Sequence, residues 1–203
     1  MDIQNKNRKL LKKNHVYHET MEHDACGVGL VASTEGLKSR KVVEYGIEAL
    51  KAVWHRGAID ADGKTGDGAG IHIEIPNDFF AEKIEITGHE HDNSDLCVGM
   101  IFLPRNDFGG QEQCRSIVES ELTKKNFNIY GWRQVPVDPS VLGEKAEQTR
   151  PEITQVLFTH NDKSIHGKDL ERALYETRRK IEKEALRNQL NLSLIHISEP
   201  TRP

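Results

Sequence analysis

Five glycines fall between residues 57 and 70, at Gly57, Gly63, Gly66, Gly68 and Gly70. Glycine loses the most conformational freedom on ordering, so this stretch reads as a loop that ends one element before the next begins. Ahead of it, Val43, Ile47, Leu50 and Trp54 share one helical face, and Ser39 is placed to cap a helix over residues 40–54. Beyond it, Ile71, Ile73 and Ile75 alternate with His72 and Glu74, which predicts a half-buried strand ended by Pro76.

The same alternation of periods runs along the chain. Val28 to Ser33 reads as a short buried strand, and residues 85–95 as a polar, exposed connection. Val98 to Leu103 predicts a buried strand. Residues 110–125 predict a helix with Cys114, Ile117, Val118 and Leu122 on one face. A strand from Phe127 to Val137 bends around Gly131, and another covers Ile153 to Thr159. Leu170, Leu174, Ile181 and Leu186 give an amphipathic helix over about 167–188. No internal repeat is present, and the strands need not be parallel.

Composition narrows the function. The 203 residues can bury one sizeable core, and a net charge of −4 gives no general case for nucleic acid or an anionic membrane as partner. No apolar run approaches the roughly 20 residues that span a bilayer. The basic start (Lys6, Arg8, Lys9, Lys12, Lys13) carries only Leu10-Leu11 as an apolar part, too short for a secretory signal. It reads as a leader or propeptide over residues 1–25, ending at Ala25. The three cysteines, Cys26, Cys97 and Cys114, are odd in number and lack CxxC spacing, which argues against a disulfide framework or a metal centre and fits a reducing cytoplasm.

Cys26 stands in the run His23-Asp24-Ala25-Cys26-Gly27-Val28-Gly29-Leu30-Val31-Ala32. If the chain is cut before it, one residue holds both a thiol and a free α-amino group. The amine, with an ordinary pKa of about 7.7–8.0, can take the proton of a thiol whose own value is about 8.5. Gly27 and Gly29 fit two roles, close approach of a substrate to the backbone or ordinary packing of a strand.

Two further segments accompany this one. Residues 55–76 read His55-Arg56-Gly57-Ala58-Ile59-Asp60-Ala61-Asp62-Gly63-Lys64-Thr65-Gly66-Asp67-Gly68-Ala69-Gly70-Ile71-His72-Ile73-Glu74-Ile75-Pro76. Later come Gly131-Trp132-Arg133-Gln134-Val135-Pro136-Val137-Asp138 and Leu142-Gly143-Glu144. In this order and spacing, they resemble the amino-terminal, class II (Ntn-type) glutamine amidotransferase domain of the glutamate synthase large subunit. The resemblance runs from about Tyr17 to about Asn191.

The resemblance implies an α+β fold, the Ntn-hydrolase four-layer αββα sandwich with two antiparallel sheets, here incomplete at the C-terminus. It implies Cys26 as nucleophile toward L-glutamine. The oxyanion-hole and substrate-clamp residues are expected beyond this chain, so the 203-residue form is expected to be a poor glutaminase. For a full-length enzyme it implies FMN, a 3Fe-4S iron–sulfur cluster and NADPH, NADH or ferredoxin as electron donor. Its partners would be downstream synthase domains of the same chain and a small FAD/NADPH-dependent subunit, in the cytoplasm. Competing readings are another class II amidotransferase, or a non-catalytic interaction module with this fold.

The remaining candidates for the substrate pocket are Gly27, His55, Arg56, Gly57 and Asp67. His55-Arg56-Gly57 is also ordinary helix capping, with basic residues in the last turn and glycine after it. Asp67 fits a turn as well as a pocket. Gly63-Lys64-Thr65 imitates a phosphate-binding loop, but five residues separate Gly57 from Gly63 where the motif needs four. Trp132, Arg133 and Asp138 lie in a segment of the resemblance, which does not make them catalytic; a strand packing on the core explains Val135 and Val137, and Arg133 is able to pair with a carboxylate. Residues 26–191 are thus read as a partial amidotransferase domain. Residues 192–203, ending Ser193-Leu194-Ile195-His196-Ile197-Ser198-Glu199-Pro200-Thr201-Arg202-Pro203, resemble the translation of a sequencing-library adapter and are left out of the expected fold.

Overall fold

The computed structural model describes residues 27–54, 57, 59–66, 68–90 and 95–197, with the backbone alone for 195–197. It divides into two compact units, residues 1–56 and 57–203.

In the first unit the described structure is a coil followed by helix α1, Arg40–Ala52. Ser39 caps it as expected, its hydroxyl accepting from the Lys41 N–H at 3.2 Å. The strand expected over 28–33 does not form. Val28 and Leu30 are 93% and 90% exposed, and no described segment lies alongside to supply the hydrogen bonds a strand requires.

The second unit is built on a four-stranded antiparallel sheet of strands β1 (Leu96–Leu103), β2 (Phe127–Gln134), β3 (Glu152–His160) and β4 (Ser193–Ile197), in the order β2-β3-β1-β4. The α+β class and the antiparallel sheet are those the resemblance implies. Helices α2 (Asn77–Ile86), α3 (Phe108–Lys124), α4 (Glu144–Thr149) and α5 (Gly167–Arg187) complete it, with a 3₁₀ turn at Pro139–Val141.

Alternation along the strands sends side chains to two cores. Cys97, Ile101, Leu103, Val156 and Phe158 pack with Cys114, Val118 and Leu122 of α3 and Leu170, Leu174 and Ile181 of α5. On the opposite face Leu96, Val98, Leu157 and Tyr130 meet Phe80 and Ile84 of α2 and Ile75. Gly99 has no room for a side chain, since a Cβ there would lie 2.8 Å from Val156 Cγ1.

The predicted bend at Gly131 is a register shift between Ile129 and Gly131, which turns Tyr130 toward the α2 side. Gly131 has φ +152°, and a Cβ there would meet Thr87, just past the end of α2, at 3.2 Å. Helix α2 stands where the sequence offers no element and reaches only Glu85 and Ile86 of the expected 85–95 connection, and the strand expected over 71–75 does not form among the described residues. Only Ile75 of its three isoleucines is buried, while Ile71 and Ile73 are 46% and 40% exposed. The described residues therefore form one sheet of the expected two.

Residues left out of the expected fold supply β4. It pairs with β1 from Val98↔Ile197 to Phe102↔Ser193, and Leu194 enters the α3/α5 core. The physical reason is that β1 presents an open edge on that side. Backbone pairing to an edge is largely indifferent to sequence, and Leu194 adds an apolar side chain to the core.

Candidate functional site

Of the residues the sequence nominates, Cys26, His55, Arg56 and Asp67 lie outside the described residues. Gly27 opens the described coil of the first unit, and Gly57 stands exposed at a bend of the second.

The two other cysteines are described. Cys97 and Cys114 are fully buried in the α3/α5 core. Burial pushes the Cys97 thiol far up, helped by the nearby Asp95 and Glu171 charges, and burial likewise raises Cys114, with Asp107 adding to it. Such thiols are inert packing groups, because only the thiolate is nucleophilic.

The glycine-rich segment has a defined local structure. Ile59 and Gly66 form an isolated antiparallel bridge, Asp60 N–H donates to Thr65 O at 2.7 Å, and Gly63 N–H returns to Asp60 O at 2.9 Å. Gly63 takes φ +70°, the left-handed conformation glycine adopts without penalty. Inside this turn the Asp62 carboxylate accepts from the Lys64 and Thr65 N–H groups at 3.0 and 2.7 Å and from the Thr65 hydroxyl. The Thr65 hydroxyl bond is the largest of several that hold the Asp62 carboxyl far below the usual carboxylate range.

A second quoted segment closes on this turn. Lys145 Nζ pairs with Asp60 at 2.6 Å, and Ala146 N–H donates to Thr65 Oγ1 at 3.4 Å. Gly143 is in contact as well, since a Cβ there would overlap Thr65 Oγ1, the Asp62 carboxylate and the Thr65 backbone nitrogen. The Leu142-Gly143-Glu144 triplet carries no role in a reading by spacing alone. The signal it offers is a glycine immediately ahead of a helix that has no other cap.

The Gly131–Asp138 segment is structural. Trp132 Nε1 donates to Glu119 at 2.6 Å, and Arg133 meets the amide oxygen of Gln155 at 2.6 Å, not a carboxylate, with its guanidinium over the Phe79 ring. Asp138 caps the 3₁₀ turn through the Ser140 hydroxyl and N–H, which lower its pKa in that order. A polar cleft of about 410 Å³ lies between Arg105 and α4. Its arginines, Arg105 and Arg150, both pair with the single Glu147 carboxylate, which holds them against α4.

A family profile, "Glutamine amidotransferases class-II", matches residues 26–199. The chain belongs to the class-II glutamine amidotransferases. The amidotransferase chain is 50% identical over 185 residues to the "Glutamate synthase [NADPH] large chain" of Azospirillum brasilense, covering 91% of this chain and 12% of that protein. It is 38% identical over 176 residues to "Ferredoxin-dependent glutamate synthase 2, chloroplastic" of Arabidopsis thaliana, covering 85% of this chain and 11% of that one. A further relative, "Ferredoxin-dependent glutamate synthase 2" of Synechocystis sp., is 37% identical over 158 residues, covering 77% and 10%. The chain thus spans only about a tenth of the length of these relatives.

Among the described residues no group of three His, Cys, Asp or Glu side chains is placed to hold a metal, and no helix is long and apolar enough to cross a membrane. With Cys97 and Cys114 sealed in an apolar core, the described residues do not fit an iron–sulfur cluster.

Proposed function

We propose that this domain is the glutaminase portion of a glutamate synthase, with Cys26 as its N-terminal nucleophile. The family match, which opens at Cys26 itself, carries this reading. Removal of residues 1–25 frees the α-amino group. That amine takes the thiol proton, and the thiolate attacks the side-chain amide carbon of glutamine. The protonated amine gives its proton to the departing nitrogen, so ammonia leaves and a γ-glutamyl thioester remains. Water then cleaves the thioester, releasing glutamate and restoring the thiol. General acid–base assistance of this kind is worth about 10²–10⁴-fold. Gly27, His55, Arg56, Gly57 and Asp67 are the residues proposed to contact the substrate.

In the whole protein the ammonia is passed to 2-oxoglutarate, and the product is reduced to glutamate. FMN and a 3Fe-4S cluster belong to other domains of that protein. NADPH, NADH or ferredoxin supplies the electrons, and a small FAD/NADPH-dependent subunit is the corresponding partner. The proposed compartment is the cytoplasm. We also propose the division into a leader (1–25), an amidotransferase region (26–191) and a non-native tail (192–203); an independent read of the source gene past codon 191 tests the last.

The test of the mechanism compares two versions of the protein at its natural length. One begins at Cys26, and the other keeps Met1–Ala25 through an uncleavable junction. Glutamine hydrolysis by the first alone supports the proposal; equal turnover by both overturns the role of the free amine.

A further inference from the structure

We propose that Asp62, Thr65 and Gly143 are positioning residues for glutamine binding. They form a clasp that fixes the segment entered at Gly57. This rests on the reading of Gly57 as a pocket residue.

Three features distinguish the clasp from a surface turn. The Thr65 hydroxyl is used twice, donating to Asp62 and accepting from Ala146 N–H. Its partners are far apart in sequence, so the contact joins two chain segments rather than closing one turn. And the approach is so close that residue 143 must lack a side chain. The Lys145–Asp60 pair braces the same turn from outside. A glycine-rich segment is otherwise costly to order. Fastening Ile59–Gly66 to the start of α4 removes that freedom before a ligand arrives, so less binding free energy is lost to ordering the loop.

The experiment measures glutamine KM and kcat separately in the natural-length protein carrying Thr65→Val, Thr65→Ser, Lys145→Met or Gly57→Ala. Thr65→Val keeps the shape but loses both hydrogen bonds. It is expected to raise KM about tenfold with kcat within about twofold, the pattern of lost uniform binding. Thr65→Ser, which keeps the hydroxyl, is expected to restore KM. A merely structural role would shift thermal unfolding and leave the KM of the folded protein alone. Lys145→Met changes an exposed group and keeps the test available if Thr65→Val does not fold; a several-fold rise in KM is expected from it. If Gly57→Ala raises KM while Thr65→Val and Lys145→Met do not, the clasp is overturned and the pocket reading stands. If Gly57→Ala leaves KM unchanged, the pocket reading fails and the inference falls with it.

Discussion

Gly143 lies so close to Thr65 that a methyl group on it would overlap both the Thr65 hydroxyl oxygen and its backbone nitrogen. Two segments some eighty residues apart, joined by the Ala146 to Thr65 hydrogen bond, thereby become one local structure. Gly143→Ala is not relieved by side-chain rotation alone, because one of the atoms in the way is backbone. The expected cost is about 1–3 kcal/mol, the range for overpacking. Urea unfolding of the variant beside the parent measures it, and a change below about 0.5 kcal/mol would mean the contact is looser than described.

Acid should loosen the Asp62 turn. The folded-state pKa of Asp62 is depressed, chiefly by the Thr65 hydroxyl. A depressed carboxylate contributes stability that is fully present above its unfolded value of about 4 and is lost as pH falls below that toward the folded value. Unfolding curves of parent and Asp62→Asn should therefore differ at neutral pH and converge below pH about 4. Curves that keep a constant separation down to pH about 2 would remove Asp62 from the account.

Leu194 reports on whether β4 belongs to the sheet. It is 9% exposed and packs in the same core as Ile101, Val118 and Ile181. Leu194→Ala is expected to cost about 2–3 kcal/mol, as for buried leucine truncations. An unchanged unfolding midpoint would place residues 193–197 off the sheet.

Gly99 tests the packing between β1 and β3. Its missing Cβ faces Val156 Cγ1 across the pair Gly99↔Val156. Gly99→Ala should destabilise by about 1 kcal/mol or more. Combining it with Val156→Ala should recover part of that loss, because the two changes share one space. Strict additivity would contradict the contact.

Much of the second unit was legible from periodicity. Helix α5, Gly167–Arg187, and strands β1 and β3 lie within a residue or two of where their apolar patterns place them. Helix α3 begins at Phe108, two residues earlier than its apolar face suggests, because Asp107 caps it by accepting from Gly110 N–H at 2.8 Å. Helix α2 was hidden, as ten residues with only Phe80 and Ile84 buried give a weak period. Alternation misled at Ile71–Ile75, where a strand pattern exists but no strand forms among the described residues. The proposed site rests on the chemistry of Cys26, and of its nominated residues only Gly27 and Gly57 are among the described ones. Gly143 stands out in the sequence as part of Leu142-Gly143-Glu144, but its role does not, because a glycine's importance lies in what approaches it, and that is a property of the folded chain.

Cys26 alone among the three thiols is proposed as the nucleophile, acting from a free amino terminus. The most direct test treats the natural-length protein with a diazoketone analogue of glutamine and locates the adduct by peptide mass spectrometry. One adduct is expected on Cys26, in a chain whose first residue is Cys26, and excess glutamine should prevent it. An adduct on Cys97 or Cys114, or labelling of Cys26 with Met1–Ala25 still attached, would contradict the account.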